Sequence, residues 1–316
     1  MLALSMLVFI LARLSPGDPL TAYYGDALDR MSPQQIEAAM TRLSLDRPIT
    51  EQYLTWARNV LRGDFGISFI YKRSVSSVIG DLWFNTLLLG GIAYLLTFAL
   101  AILLAVFCAR RDGSCIDTAI CKIGTVSSLI PTFYIALMCI LIFAVNLKIL
   151  PSGGAYAFGH KHDFTSRALH LILPIFTLML SHVWYYAYIL RNKLIDELHK
   201  DYVLLLRVKR LSTSRILYRH CLRNCLPALI TIMSISVPHI IAGTYIAELV
   251  FGYPGLGTLA FQSAQFKDYN TLSMITLITG FTVILTGILG QEIAAFLDPA
   301  MRHEMRHEMK IKVKQL

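Results

Sequence analysis

Five stretches of this chain each run for about twenty or more mostly apolar residues, the length a helix needs to cross the hydrocarbon core of a bilayer. They lie at about Phe84 to Cys108, Ile123 to Leu147, Leu171 to Leu190, Pro227 to Val250 and Thr271 to Leu297. Such runs are committed to helix, because a bilayer offers no water to satisfy an open backbone. A shorter apolar run, MLALSMLVFILAR, opens the chain without the basic start or small-x-small cleavage site of a signal peptide. It is read as a first span that is short at its upstream end, as a start codon assigned too late would leave it. The composition agrees, since 55% hydrophobic and 16% charged residues are too apolar a mixture for a soluble domain of 316 residues.

The expected fold is therefore all-α, a polytopic membrane protein of six transmembrane helices, TM1 to TM6. Basic residues orient it. Arg191 to Leu226 carries nine Lys or Arg against three acids, and the tail from Asp298 carries five, whereas Phe251 to Asn270 carries only Lys267. By the positive-inside rule the Arg191 segment, the Ala109 to Lys122 loop and the C-terminus are cytoplasmic, and six spans put the N-terminus there too. The net charge of +9 thus belongs to faces beside the membrane, and nothing in it reads as a nucleic-acid surface. The layout follows: TM1 over 1–14, an extracytoplasmic cap over 15–82, a transmembrane core over 83–297 that includes the segment 191–226, and a cytoplasmic tail over 298–316.

Within the cap, Ser32-Pro33-Gln34-Gln35 has the form of a capping box with proline at the first helical position, and Ile36, Met40 and Leu43 follow on one face. A second helix is predicted from Thr50 to Arg62, with Tyr53, Trp56 and Val60 as its apolar face and Gly63 closing it. The six cysteines include no C-x-x-C pair, and in this topology they are free thiols in a reducing compartment.

His303-Glu304-Met305-Arg306-His307 matches H-E-x-x-H, in which two histidines four apart hold zinc while the glutamate activates water. A membrane zinc peptidase using His303, Glu304 and His307 is accordingly one alternative. Against it, the string sits in a tandem MRHE-MRHE beyond the last span. Of the nine residues after His307 only Glu308 has a ligating side chain of the usual kind. No catalytic or metal residue is assigned on this basis. Ionisable groups within spans tend to line a pathway, which makes His182, His239 and Glu248 candidates for a translocation route, with hydrogen bonds inside the bundle as the plainer reading. His160 and His162 in an outer loop are read as solvated.

The segment after the fourth span, RNKLIDELHKDYVLLLRVKRLSTSRILYRHCLRNCLPALIT, predicts a short helix with an apolar patch at Tyr202, Leu205 and Leu206 beside Arg207, Lys209 and Arg210. Ser212-Thr213-Ser214 can cap a new helix leading into TM5. On physics alone this is either an interfacial lipid-binding helix or a peg offered to a cytoplasmic partner.

Here the sequence resembles the membrane permeases of ATP-binding-cassette importers, in the branch that handles dipeptides, oligopeptides and nickel. The family's coupling motif reads DYVRTARAKGLS, followed by a helix containing RHALRNALLP. This chain has Asp201-Tyr202-Val203, Arg207, Lys209 and Leu211-Ser212, then Arg219-His220, Leu222-Arg223-Asn224 and Leu226-Pro227. Further landmarks are Gly17-Asp18-Pro19, Asp64-Phe65-Gly66-Ile67-Ser68, Leu150-Pro151-Ser152-Gly153-Gly154 and Ile172-Leu173-Pro174. The series continues with Glu248-Leu249-Val250-Phe251, Pro254-Gly255-Leu256-Gly257 and Leu297-Asp298-Pro299. Two departures stand out: Arg210 replaces the motif glycine, which supplies a backbone freedom that arginine lacks, and Ala300-Met301 replace a basic residue after Asp-Pro.

The resemblance implies a non-enzymatic permease subunit in a bacterial inner membrane, without a cofactor, that moves small peptides or nickel and metal chelates by alternating access. A nickel-specific or metallophore importer is the alternative within that class, and an ATP-independent channel or scaffold lies outside it. The implied partners are a second homologous permease in a heterodimer, two ATPase subunits, an extracytoplasmic solute-binding protein and the lipid bilayer. ATPase coupling is carried over to Asp201, Tyr202, Leu206, Arg207, Lys209, Arg210, Leu211 and Ser212. The chain contains no G-x-x-x-x-G-K-[ST], so the family's fuel chemistry belongs to another polypeptide.

Overall fold

The computed structural model describes residues 1–14, 19–42, 46–159 and 163–298. Among the described residues the chain is helical and the one extended pairing is a single antiparallel bridge, Ile67 to Ser74. Leu43, His160, His162, Gly17, Asp18 and everything from Pro299 onward, including His303, Glu304 and His307, lie outside the described residues. Contacts divide the chain into two compact units, one of Met1–Leu87 with Gly252–Thr282, the other of Leu88–Phe251 with the chain from Val283 onward.

The first unit begins with α1 (Leu2–Leu14). Its thirteen residues rise about 20 Å, against the ~30 Å of a hydrocarbon core. Phe9 is buried against Tyr53 and Trp56, with ring centroids 5.5 and 5.4 Å apart, and the Ser5 and Tyr53 hydroxyls share a 2.9 Å hydrogen bond. After α2 (Pro19–Tyr24) and a 3-10 turn, α3 (Pro33–Arg42) starts with the reciprocal box that its sequence encodes. Gln35 Oε1 accepts from the Ser32 N–H at 2.8 Å, and Ser32 Oγ accepts from the Gln35 N–H at 3.3 Å. The predicted second cap helix is α4 (Ile49–Leu61), and Gly63 follows it with φ 83°.

From there α5 (Val75–Arg110) runs on into the second unit. That unit holds α6 (Cys115–Ser127), α7 (Thr132–Cys139) with a π-helical continuation over Ile140–Asn146, and α8 (Phe164–Leu198). Next come α9 (Asp201–Val208), α10 (Thr213–Ile216), a π-helical turn, α11 (Leu222–Asn224) and α12 (Leu226–Val250). The chain then makes α13 (Leu256–Gln265) in the first unit and ends its described part in α14 (Tyr269–Leu297). Four helices, α5, α8, α12 and α14, are long and apolar enough to cross a membrane.

The expected third span, Ile123 to Leu147, is not one helix. It is a pair, α6 and α7, bent by 108° at the break before Pro131. Proline offers no N–H and disfavours helix at the residue before it. Ser127 and Ser128 hydroxyls donate back to the carbonyls of Gly124 and Thr125 and satisfy the broken end. Counting the pair as one span gives five such spans among the described residues, by length and composition. Glycines allow the helices of this unit to touch: a Cβ on Gly124 would lie 2.7 Å from the Trp184 carbonyl oxygen, and one on Gly243 3.2 Å from the His182 ring.

Candidate coupling site and polar groups of the bundle

α8 is longer than a bilayer requires. Its last turns carry Leu190, Leu194, Glu197 and Leu198 on one buried face before Lys200 turns extended and α9 begins. Eight residues of α9 then present two sides. Val203 is fully buried, and Tyr202, Leu206 and Leu211 pack on a cluster that includes Leu194, Leu198, Ile216 and Leu217. On the other side Leu204, Leu205 and Val208 are 65%, 56% and 72% exposed, beside exposed Arg207, Lys209 and Arg210. The single patch expected from Tyr202, Leu205 and Leu206 is thus split between the two sides. Tyr202 and Leu206 anchor the helix, while Leu205 joins its outward face.

After α9 the backbone of Arg210 takes φ 59°, the left-handed region. The resemblance puts a glycine at this place, and the conformation accounts for it, since a side chain there costs about 1–2 kcal/mol. Ser212 then caps α10 by accepting the Arg215 N–H, as its sequence predicts.

Beneath α9 lies a knot of polar side chains centred on Glu197, which is only 6% exposed. Its Oε1 accepts from the Tyr202 hydroxyl at 2.9 Å and from the Asn224 amide at 3.1 Å, and its Oε2 meets Lys200 Nζ at 2.6 Å. Three elements meet at this carboxyl: the end of α8, the start of α9, and α11 leading into α12. The Glu197 carboxylate holds the Lys200 ammonium above its ordinary range, with Asp298 at the end of α14 adding a weaker pull. Burial, then the neighbouring Cys221 and Glu197, pushes the Tyr202 hydroxyl far up.

One and a half turns earlier, Arg191 grips Asp117 of α6 in a two-point contact, Nε to Oδ1 at 2.9 Å and Nη2 to Oδ2 at 2.5 Å. Its Nη2 also meets Asp112 at 2.5 Å.

The three pathway candidates have different settings. His182 is half-buried, places Nδ1 2.9 Å from the Leu178 carbonyl oxygen, to which it donates when that nitrogen carries the proton, and stacks on Tyr186 at 6.3 Å. His239 is exposed, on a stripe of α12 with Ile235, Ala242, Ile246 and Leu249. Glu248 is fully buried. Glu248 thus differs in setting from the two histidines.

In the first unit a buried aspartate, Asp268, caps α14 by accepting the Thr271 N–H and hydroxyl at 3.3 and 2.9 Å. The same carboxylate accepts from the Ser68 hydroxyl and from the Ile70 N–H at 3.4 Å. It thereby pins the Asp64 to Ser74 loop, whose Lys72 side chain donates to the Tyr23 carbonyl and covers the Tyr23 ring at 4.1 Å. Burial pushes the Lys72 ammonium down, and Asp268 opposes that shift.

Sequence reading missed Glu197, Lys200, the Arg191 and Asp117 pair, and Asp268 as organising groups. A signal for Glu197 was present: Leu190, Leu194 and Glu197 fall at helical spacing, so an acid occupies the apolar stripe. Two landmarks of the resemblance also meet in space. The Gly154 N–H donates to the Phe251 carbonyl at 2.7 Å, and a Cβ on Gly153 would come within 2.2 Å of that same oxygen.

Known proteins are similar to this chain in sequence and in fold. A family model for binding-protein-dependent transport system inner membrane components matches residues 101–303, more than half of the chain. The oligopeptide transport system permease protein AppB of Bacillus subtilis is 31% identical over 304 residues, covering 96% of this chain and 95% of that protein. The corresponding OppB of Haemophilus influenzae is 31% identical over 297 residues, with 93% and 92% covered. Among solved structures, the inward-facing methionine ABC transporter MetNI aligns with a TM-score of 0.58 at 16% identity, over 71% of this chain and 97% of the matched one, a likeness of fold.

Proposed function

This chain belongs to the binding-protein-dependent transport system inner membrane components, as a permease of the peptide branch of ATP-binding-cassette importers, and we propose that α9 is the element through which separate ATPases drive it. The observation that carries this reading is the two-sided packing of α9. Its inward side chains are held by both neighbouring helices, while Leu204, Leu205, Val208, Arg207, Lys209 and Arg210 face outward with no protein group over them in the described chain. An interfacial lipid helix would also expose such a mixture, but the family membership favours an ATPase groove.

On this reading Asp201, Tyr202, Leu206, Arg207, Lys209, Arg210, Leu211 and Ser212 form the coupling segment. Arg207, Lys209 and Arg210 make the outward contacts, and Tyr202, Leu206 and Leu211 hold the helix to the bundle. A second homologous permease completes a heterodimer, two ATPases bind on the cytoplasmic side with both chain termini, and a solute-binding protein delivers cargo from outside. ATP-driven closure of the ATPase pair then switches the bundle between two global states.

The pathway is assigned to His182, His239 and Glu248. Support comes from the α12 stripe: a histidine midway along an apolar exposed face is costly against lipid, so that face belongs against water or a second subunit. Small peptides are the proposed cargo, since the matched relatives are named as oligopeptide permeases. A nickel or metal-chelate cargo is tested beside it.

Charge reversal of Arg207 and Lys209 together abolishes transport while leaving membrane insertion intact. Unchanged transport by that double variant overturns the role given to α9. For cargo, a deletion strain loses growth on peptides as the amino-acid source and keeps its nickel-dependent urease or hydrogenase activity. The reverse pattern assigns the chain to metal uptake.

A further inference from the structure

A peg that merely rests on a bundle can slide when it is pushed, so the force delivered to α9 must reach the spans through something stiffer than apolar contact. Leu206, Leu211 and Val203 supply apolar contact, which has no direction of its own. The Glu197 knot is directional. It lies outside the coupling motif on which the resemblance rests, and it is the place where one buried carboxyl touches all three segments that such a lever would need to join. Tyr202 belongs to α9, Asn224 to the helix that leads into α12, and Glu197 itself to the end of α8.

Sulfur contacts close the same knot from below. The Tyr202 hydroxyl stands 3.6 Å from Cys221 Sγ, which ties α9 to the π-helical turn before α11, and Cys225 Sγ lies 3.7 Å from the Lys193 carbonyl oxygen, which ties α8 to the entry of α12. Lys200 pairs with the other carboxylate oxygen from the solvent side, with 60% of its side chain exposed. The inner bonds are therefore shielded and the outer one is open to water, an arrangement in which the carboxyl stays ionised and fixed while its cation remains exchangeable.

We infer that Glu197 is the positioning residue that makes α8, the coupling helix and α12 move as one body, so that it sets how much transport each hydrolysed ATP yields without itself touching ATPase or cargo. This rests on the reading of the chain as an ATPase-driven permease. A carboxyl that only stabilised the fold would scale ATP hydrolysis and transport together, because both need folded chain. A rivet in a lever changes their ratio.

The test uses the complete transporter, with its partner permease, ATPases and binding protein, in proteoliposomes. Transport per ATP and co-purification of the ATPases are measured for wild type, Glu197→Ala, Glu197→Gln and Tyr202→Phe. Glu197→Ala lowers the ratio about tenfold, as expected for loss of hydrogen bonds to a charged group, while the ATPases still co-purify. Glu197→Gln keeps an acceptor for Tyr202 and Asn224 and recovers most of the ratio. Tyr202→Phe, which removes one hydroxyl and leaves the packing, falls between the two. An unchanged ratio in both Glu197→Ala and Tyr202→Phe overturns the inference, and so does a parallel fall of hydrolysis and transport. If Glu197→Ala does not assemble, Tyr202→Phe decides by the same criterion. Failure of the wild-type chain to show ATPase-dependent transport is a separate result, and it removes the permease mechanism itself.

Discussion

Asp268 and Glu197 are both buried acids that tie distant stretches of chain together, and they do so with different kinds of donor. Asp268 receives two backbone N–H groups and two hydroxyls beside the start of a helix. Glu197 receives a phenol from α9, an amide from α11 and an ammonium from Lys200 in the turn between α8 and α9, all of them side-chain donors. Backbone donors survive any substitution of the residues that bear them, so the Asp268 site depends on one replaceable part above all. The Glu197 site depends on four. The first arrangement suits a fixed staple, and the second suits a joint whose stiffness is set by its members.

The largest expected effect is therefore at the staple. Asp268→Ala strips α14 of its cap and leaves the Ser68 and Thr271 groups and the Ile70 N–H without their acceptor in a buried site, a loss of about 3 kcal/mol. Thermal unfolding of the purified chain in detergent should show it, and Asp268→Asn, which still caps, should recover about half of the loss. If Asp268→Ala unfolds at the wild-type temperature, the staple is not structural.

At the joint the cost in stability is smaller. Glu197→Ala should cost about 2 kcal/mol, because Lys200 already faces water and Tyr202 is only partly buried, so the abandoned donors can be rehydrated. A Glu197→Ala loss in the same unfolding assay larger than that of Asp268→Ala would reverse the contrast between the two sites.

Smaller again, and opposite in sign, is the effect at the turn that follows the joint. Arg210→Gly relieves the left-handed strain and gives back part of that gain to the freer unfolded chain, for a net stabilisation of about 0.5–1 kcal/mol. A destabilised Arg210→Gly would mean that the arginine side chain makes contacts worth more than its backbone strain.

How much of this was legible in the sequence follows from the same contrast. Periodicity and capping chemistry are local, and the sequence placed α3, α4, α12, α14 and the Ser212 cap to within a few residues of where they stand, while α8 outruns the apolar stretch Leu171 to Leu190 by seven residues at its start and eight at its end. The break at Pro131 was equally local in cause and was still overlooked, because the apolar run continues through Ser128 to Ile130 and hydropathy does not register a missing N–H. Asp268 and Glu197 are legible only in part. That Glu197 falls on the apolar stripe of Leu190 and Leu194 can be read from the chain, but the partners of the two acids, Ser68 for Asp268 and Asn224 for Glu197, lie 200 and 27 residues away, and no local pattern pairs them.

The finest separation between staple and joint comes from alkaline pH, because each site carries a lysine shifted in the opposite direction. Lys200 is raised above 10.5 chiefly by its hydrogen bond to Glu197, so its contribution is fully present below 10.5 and is lost as the pH climbs through its folded value. Lys72 is lowered from 10.5 chiefly by burial, so the unfolded chain binds the proton more readily there, and stability rises as the pH passes upward from its folded value toward 10.5. Thermal midpoints followed from pH 9 upward should then carry a small rising component that vanishes in Lys72→Met, followed above about 10.5 by a falling one that vanishes in Lys200→Met and in Glu197→Gln. Both lysines are largely exposed and screening keeps these components small, so the sign of each change is the quantity to read. A fall above 10.5 that persists in Glu197→Gln would mean that Lys200 finds its charge partner elsewhere, with Asp298 at the end of α14 the next to substitute.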